Sequence, residues 1–483
     1  MSAVAAASPA LARRSADPAG PAVYDALRAA LAAAAGRARP TLVSAVLPAA
    51  TVDPVAVYAA AEAAGHERSL WRQPSEGFVL VGVGAAWSMR ASGPGRFTQV
   101  AEAWSDLAGQ AIITGDPGLR GCGPLLLGGF GFADVPARTR VWRGFEAADV
   151  VLPALLLSIT PEGTWLTASH VLSPGETAAS AGGTLASWWV HLIGSAVASS
   201  PPSVRPSLRL VASRPGAADW RASVSRLAGA VGRGRLDKVV LARQVDLVAE
   251  SAIDVPAVLE RLRATAPEST LFAIGRGGRT FLGATPERLV SLDGCRLRSV
   301  AMAGSTRRGD DAAADERLAA ELLGSDKERE EHAVVVDMLR ATLAPLTDEL
   351  AIPSVPHVEQ LHHLQHLVTP VEGRLREPSG VLRFAELLHP TPAVGGMPRD
   401  LALDLIAEEE AHERGWYAGP LGWLDRSGDG ELVVALRSGV VEDRTATLLA
   451  GCGIVADSDP EREWQESTTK LLALGSALGR VEA

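Results

Sequence analysis

With 483 residues, 47% of them apolar, the chain can bury a substantial core; its formal net charge of −10 at pH 7 comes without the long Lys/Arg stripe of a nucleic-acid footprint. Three widely spaced cysteines, Cys122, Cys295 and Cys452, argue against a disulfide scaffold or a thiolate metal site. The start lacks the basic and apolar segments of a secretory leader, and no apolar run has the length and purity of a transmembrane helix, so a cytoplasmic protein without membrane partners is expected.

Residues 1–22, rich in Ala, Ser and Pro, read as a disordered extension. Helices are predicted over Val23–Ala35 and Val55–Gly65, with a strand at Thr41–Leu47 between them. Phe78–Trp87 is strand-like, and Leu125–Phe132 reads as a tight strand and turn. Val150–Ile159 and Thr164–Val171 are predicted as one antiparallel pair about a TPEG turn.

Further on, Ala217–Ala230 and Ala257–Ala264 are helical candidates, and Lys238–Val248 and Ser269–Ile274 are strands. Strand and turn alternate from Phe281 to Ser305, and Asp311–Leu343 is the clearest helical region, with a break at Gly324. Leu367–Val371 reads as a strand, and Val381–Leu387 and Leu401–Glu413 read as helices. Leu432–Val441 and Ala446–Val455 look like paired strands before a last helix at Glu461–Leu478. No clean repeat and no regular βαβ order appears, and no linker divides the chain after residue 40. The expectation is an α+β layer arrangement, one body from 23 to 483 with two lobes.

Several local patterns carry chemistry. Lys238 opens a predicted strand; such a lysine usually faces solvent, but in a packed cavity it can act as a base. Glu287 follows Thr285 and Pro286 and is either a surface turn residue or a general acid whose pKa is raised by burial. Glu328 and Glu331 share a helix face, as do Glu463 and Glu466, with Lys470 four residues beyond. Two such pairs could meet around Mg²⁺, which prefers oxygen ligands, or each could be a solvated face. His362, His363 and His366 would offer a zinc-binding face only on a helix, whereas the residues after them read as extended. Tyr417 brings a hydroxyl, and Arg437 a guanidinium fork suited to a carboxylate or to structural pairing.

In order, the segments KVVLAR, GATPERL, AGSTRRG, KEREEH, HHLQHLVTPVEG, LHPTPAVGG, ERGWYAGPLGW, VVALRSG and AGCGIVADSDPEREWQEST, followed by Lys470, resemble the chorismate-utilising enzymes. These motifs cover about residues 235–478; the first 200 residues match only loosely. The resemblance implies a two-lobed fold with central antiparallel sheets and outer helices, and Mg²⁺ in the active site. It implies Glu331 and Glu466 as metal ligands, with Glu328 and Glu463 acting through water. Tyr417, Arg437 and Lys470 match residues that hold substrate carboxylates, His366 matches the family's active-site histidine, and Gly304, Ser305 and Gly453 would complete the cradle.

Within that family, Lys238 matches the lysine that activates water, which the amine-transferring members lack, and Ala393 stands where pyruvate-eliminating members place Thr. The resemblance therefore implies conversion of chorismate to isochorismate, with Lys238 taking a proton from the water that attacks C2 and Glu287 protonating the departing C4 hydroxyl. A salicylate-forming lyase and a catalytically inactive metabolite-binding protein are the alternatives. The same reading expects a monomer without a glutaminase partner.

Overall fold

The segment Phe78–Val83 reads FVLVGV, with no polar residue on either face, and all but Val79 is buried. A strand of this kind needs cover on both sides. The computed structural model, which describes residues 19–34, 36–174, 176, 178–197 and 205–481, supplies it with two large sheets packed face to face and helices outside them. Trp71, Leu80, Leu156, Phe272 and Phe281 point from the 14-stranded sheet into a core shared with the 10-stranded sheet. Their neighbours Leu70, Val81, Leu157, Leu271 and Leu282 point into a second core beneath the helices, as the two-residue side-chain period requires.

The first half runs α1 (Ala19–Ala34), β1 (Thr41–Pro48), α2 (Pro54–Ala63), β2 (Arg68–Gln73), β3 (Phe78–Val83), β4 (Trp87–Ala91) and α3 (Arg96–Ala108). It continues through β5 (Ile112–Thr114), β6 (Leu125–Phe130), β7 (Ala148–Leu152), β8 (Leu155–Thr160), β9 (Gly163–Leu172) and α4 (Ala178–Val197). The second half opens with β10 (Ser207–Arg214), α5 (Ala217–Gly232), β11 (Lys238–Ala249), α6 (Val255–Thr265), β12 (Thr270–Arg276), β13 (Arg279–Thr285) and β14 (Arg288–Asp293). Next come β15 (Arg296–Arg307), α7 (Ala312–Gly324), α8 (Asp326–Leu343), β16 (Thr347–Ala351), β17 (His357–Gln360) and β18 (Leu364–Leu375). The chain ends with α9 (Val381–Leu388), β19 (Gly396–Met397), α10 (Arg399–Glu409), β20 (Pro420–Asp425), β21 (Gly430–Val434), β22 (Ser438–Glu442), β23 (Thr445–Ile454), α11 (Pro460–Leu478) and β24 (Arg480–Val481).

The pairing order of the larger sheet reads the same from both ends. β1–β9–β8–β3–β2 in the first half repeats as β11–β23–β22–β13–β12 in the second, and β2 pairs β12 across the middle. In the smaller sheet, β4–β7–β6 repeats as β14–β21–β20, with β6 pairing β20. The repeat lies in the topology, where no sequence period marks it. Between β14 and β20 the second half carries an insertion, β15 to β18 with α7 and α8, for which the first half has no counterpart among the described residues.

Two predicted strands turn out to be two strands each, in different sheets. Val150–Ile159 divides at Pro153, which has no backbone N–H to give a ladder, so β7 joins the smaller sheet and β8 the larger. Leu432–Val441 divides at Ala435–Arg437, so only β22 pairs β23. The helix predicted to Glu413 ends at Glu409, and α3 and α4 lie where no helix was predicted. Of the extension expected over 1–22, residues 1–18 lie outside the described residues and 19–22 begin α1. No helix of the described residues is long and apolar enough to cross a membrane.

Candidate active site

Two of the places where the second half leaves one sheet for the other, β13 to β14 and β21 to β22, lie side by side because β13 pairs β22 and β14 pairs β21. Glu287 stands at the first crossing, between β13 and β14, and Arg437 at the second, between β21 and β22. Arg437 takes a left-handed backbone conformation, φ 51°, which is strained for a residue with a side chain. A continuous strand would place neither residue here, since its alternate side chains would stay with one sheet.

A cavity opens at these crossings. It is lined by Glu287, Gly304, Ser305, Glu331, His366, Ala393, Tyr417, Arg437, Gly453 and Lys470, ten of the residues singled out in the sequence. Lys238 reaches it from behind: its Nζ lies 2.8 Å from Oε1 of Glu331, and its side chain is 1% exposed. The sequence alone favoured a solvent-facing lysine at a strand start. Here β11 is flanked by β19 and β23, and the Lys238 side chain is covered by Glu331 of α8 beside Gly453.

Arg437 donates from Nη2 to Nε2 of His366 at 2.9 Å. A guanidinium has no lone pair to offer, so Nε2 is the acceptor, and the ring proton sits on Nδ1, 2.9 Å from the Ser305 hydroxyl oxygen that accepts it. Burial, with Arg437 and Lys470 nearby, holds the His366 pKa well below its ordinary value and keeps the ring neutral. Ser305 is placed by a β-bulge after Gly304, whose φ of 78° suits glycine. Arg437, half-buried, forms no ion pair with a carboxylate among the described residues; Glu466 and Glu287 act on it only from further away, so a cation without an ion-pair partner faces the cavity.

Burial lifts the Glu287 pKa to about 7, against the pull of Lys238, Arg437 and Lys470. Burial likewise pushes Tyr417 up to about 12, so it remains a neutral hydroxyl. Lys470 donates to the carbonyl of Gly451 at 3.0 Å and lies 2.6 Å from Glu466. Burial opposes its charge, but Glu466 holds its pKa above the ordinary value. Burial also opposes the charge of Glu331, yet Lys238 holds that carboxyl below its usual range.

Beside the cavity, α8 and α11 bring four carboxylates together. Lys327 lies 3.4 Å from Glu463 and 3.7 Å from Glu328, sharing its ammonium between the two helices. Glu328 accepts from the backbone N–H of Ser305 at 3.0 Å, and burial with Glu331 beside it raises its pKa. Burial and then Glu466 lift Glu463 to about 7. Cys452, Glu463 and Glu466 offer ligand atoms within 4.8 Å of one another, so they can hold a metal ion. The sulfur is a protonated thiol, its pKa raised by burial, and it donates to the Glu463 carbonyl; the oxygen-rich remainder suits a hard divalent cation. Glu331 and Glu466, expected as direct ligands, are each held by a lysine, while Glu328 and Glu463 share Lys327.

Arg414, Met302 and Val394 are among the contributors that were not singled out from the sequence. Arg414 pairs with Glu410 and donates to the carbonyls of Val240 and Val394 at 2.9 and 2.7 Å, pinning two walls of the cavity. Met302 and Val394 supply apolar lining. Arg414 lies in the quoted ERGWYAGPLGW segment, so the motif was visible while its structural use was not. His362 and His363 pack against each other outside this cavity, at 4.4 Å between ring centres.

A family model described as "Chorismate binding enzyme" matches residues 28–479, and the chain belongs to that family. It is 37% identical over 449 residues to the "Salicylate biosynthesis isochorismate synthase" of Pseudomonas aeruginosa, covering 92% of this chain and 91% of the relative. It is 36% identical over 438 residues to "Isochorismate synthase MenF" of Bacillus subtilis, covering 89% and 92%. The solved structure of MenF, the menaquinone-specific isochorismate synthase from Escherichia coli, matches with a TM-score of 0.75 at 26% identity, covering 94% of this chain and 99% of that one.

Proposed function

We infer that this protein interconverts chorismate and isochorismate, adding water at C2 and releasing the hydroxyl at C4. The observation that carries this reading is Glu287. It is a buried carboxyl with a pKa of about 7, opening on a cavity with Arg437, which has no ion pair among the described residues, and with Lys238 behind Glu331. Hydroxide leaves poorly, so the reaction needs a proton donor at C4, and a carboxyl protonated up to about pH 7 is poised to be one. Lys238 is the base that takes the proton of the attacking water, and it is supplied from a different strand so that it approaches the other ring face. Arg437, Tyr417 and Lys470 hold the substrate carboxylates, and the Arg437–His366–Ser305 chain orients the Ser305 hydroxyl toward them. Ala393 leaves that wall without a hydroxyl.

Glu331 and Glu466, with Glu328 and Glu463, would hold Mg²⁺. When bound, the cation would supply positive charge to a substrate carboxylate; Glu331, shared with it, would hold Lys238 less strongly in its charged form, and the neutral amine is what a base requires. Residues 23–483 act as one catalytic body, a reading supported by the strand pairs β2–β12 and β6–β20 that tie the halves together. The same reading has chorismate as the partner molecule of a cytoplasmic monomer that needs no glutaminase.

The test is product analysis of purified protein given chorismate and Mg²⁺. Isochorismate accumulating to equilibrium supports the reading. Enzymatic salicylate and pyruvate would make the protein a lyase instead, and absence of turnover would make it a binding protein.

A further inference from the structure

A second, larger cavity of about 840 Å³ lies on the far side of Arg414, between the start of α3, the helix α10 and the loop that follows α10. Two of its arginines stand out. Arg96 is 6% exposed, gives Nη2 to the carbonyl of Gly131 at 3.2 Å, and leaves its buried Nε without a hydrogen bond. Arg399 gives Nη2 to the carbonyl of Leu387 at 2.9 Å. Neither makes an ion pair within 4 Å among the described residues; Asp134 and Glu386 act on Arg96, and Asp400 on Arg399, only from further away.

His412 lines the same cavity with its side chain 2% exposed and, among the described residues, both ring nitrogens without a hydrogen bond, Glu410 offering a carboxylate oxygen at 3.9 Å. His389 registers the positive charge collected here: burial and then Arg96, together with Arg399 and Arg414, drive its pKa to about 3. Of these guanidiniums only Arg414 is neutralised in place, by Glu410. The lining also includes Asp134, Glu146, Glu386 and Glu413, of which Glu413 is taken up by the backbone N–H groups of Arg138 and Thr139 and Glu386 by the Thr98 hydroxyl; the remainder is largely apolar, with Phe132, Leu403 and Trp416 prominent.

We propose that this cavity is a second ligand site, separate from the first, that takes a small aromatic monocarboxylate. Its carboxylate would sit against Arg96 and Arg399, its ring against Phe132, Leu403 and Trp416, and a polar substituent against His412. A buried cation without a partner is costly, and a carboxylate is the group whose two oxygens match a guanidinium fork. A single negative charge suits two arginines whose charge Asp134 and Glu386, in the same lining, and Asp400 already attenuate without ion-pairing to them, and the apolar wall requires a ring rather than a bare anion. The cavity volume falls within the range of sites for such molecules.

The probe is trans-cinnamate, titrated calorimetrically into the full chain without chorismate, with cinnamide as the uncharged control. We expect saturable binding with Kd at or below about 1 mM, and about tenfold weaker binding of cinnamide. Arg399→Gln and the cavity-filling Leu403→Trp should each weaken cinnamate by about tenfold, while Arg437→Ala, in the first cavity, should leave Kd within about twofold. The proposal is overturned if cinnamate does not saturate, or if neither Arg399→Gln nor Leu403→Trp weakens it. It is equally overturned if Arg437→Ala is the variant that abolishes binding.

Discussion

Lys238 and Glu331 meet at 2.8 Å because residue 453 has no side chain. A Cβ there would stand 2.3 Å from Oε1 of Glu331 and 2.7 Å from Cε of Lys238. β11 and β23 pair Val240 with Gly453, so the strand register brings the glycine against the ion pair. Gly453→Ala should therefore force the pair apart while leaving the strands paired. We expect kcat to fall by about 100-fold or more, since displacements near 1 Å at a reacting group have that effect. Circular dichroism should stay unchanged, and kcat within threefold of wild type would refute the argument.

Glu287 makes a pH prediction. As the proton donor it must be protonated, so kcat should decline as pH rises through about 7. Glu287→Gln should lose about 10²- to 10⁴-fold in kcat and with it this limb of the profile. The same substitution should stabilise the fold in alkaline solution. Below its ordinary pKa of 4.5 the carboxyl is neutral whether the chain is folded or not, and the change gains nothing. As pH climbs from 4.5 to about 7 the unfolded chain ionises first, and the gain grows to roughly 3 kcal/mol above that window. Denaturant melts at pH 5 and pH 8 would read it, and equal gains at both would contradict the assigned cause.

Removing divalent cations with a chelator should abolish turnover, and Mg²⁺ should restore it. Because the four glutamates lie on two separate helices, α8 and α11, a bound cation should also stabilise the fold. At about 100 times its Kd the gain is near 2.7 kcal/mol, readable as a rise in Tm. Glu466→Gln should lose both responses. A Tm insensitive to Mg²⁺ in wild-type protein would count against a site between these helices.

Arg437 is a half-buried cation with no ion pair to a carboxylate among the described residues, and its fork also sets the tautomer of His366. Arg437→Lys keeps the charge but not the planar fork or the fixed donor to Nε2. We expect KM for chorismate to rise by about 10- to 100-fold, with a smaller change in kcat. A change confined to kcat would place Arg437 at the reacting atoms rather than at a carboxylate.

Much of this site could be read before any coordinates. The spacing of Glu328 and Glu331, and of Glu463 and Glu466, is a one-turn helical pattern, and local backbone geometry alone puts each pair on one face. Helix α8 even carries its cap in the sequence, Ser325 accepting from the N–H of Glu328 at 3.3 Å. The ordered motifs from KVVLAR to EWQES identify the family because short-range residue types survive in a linear string.

What the string could not reveal are the places where the chain changes sheet. Val150–Ile159 and Leu432–Val441 read as single apolar strands because residues on both sides of each break are buried, and burial on two faces erases the alternation that marks a strand's orientation. The paired order of the two halves and the approach of Glu287, at the β13 to β14 crossing, to Arg437 depend on such crossings, and the placing of Lys238 where β19 and β23 flank β11 depends on strand pairing between distant segments. Residue types and helical spacing are properties of neighbours along the chain. The shared cavity depends on contacts between residues far apart in sequence, such as the 71 positions separating His366 from Arg437, and only packing decides those.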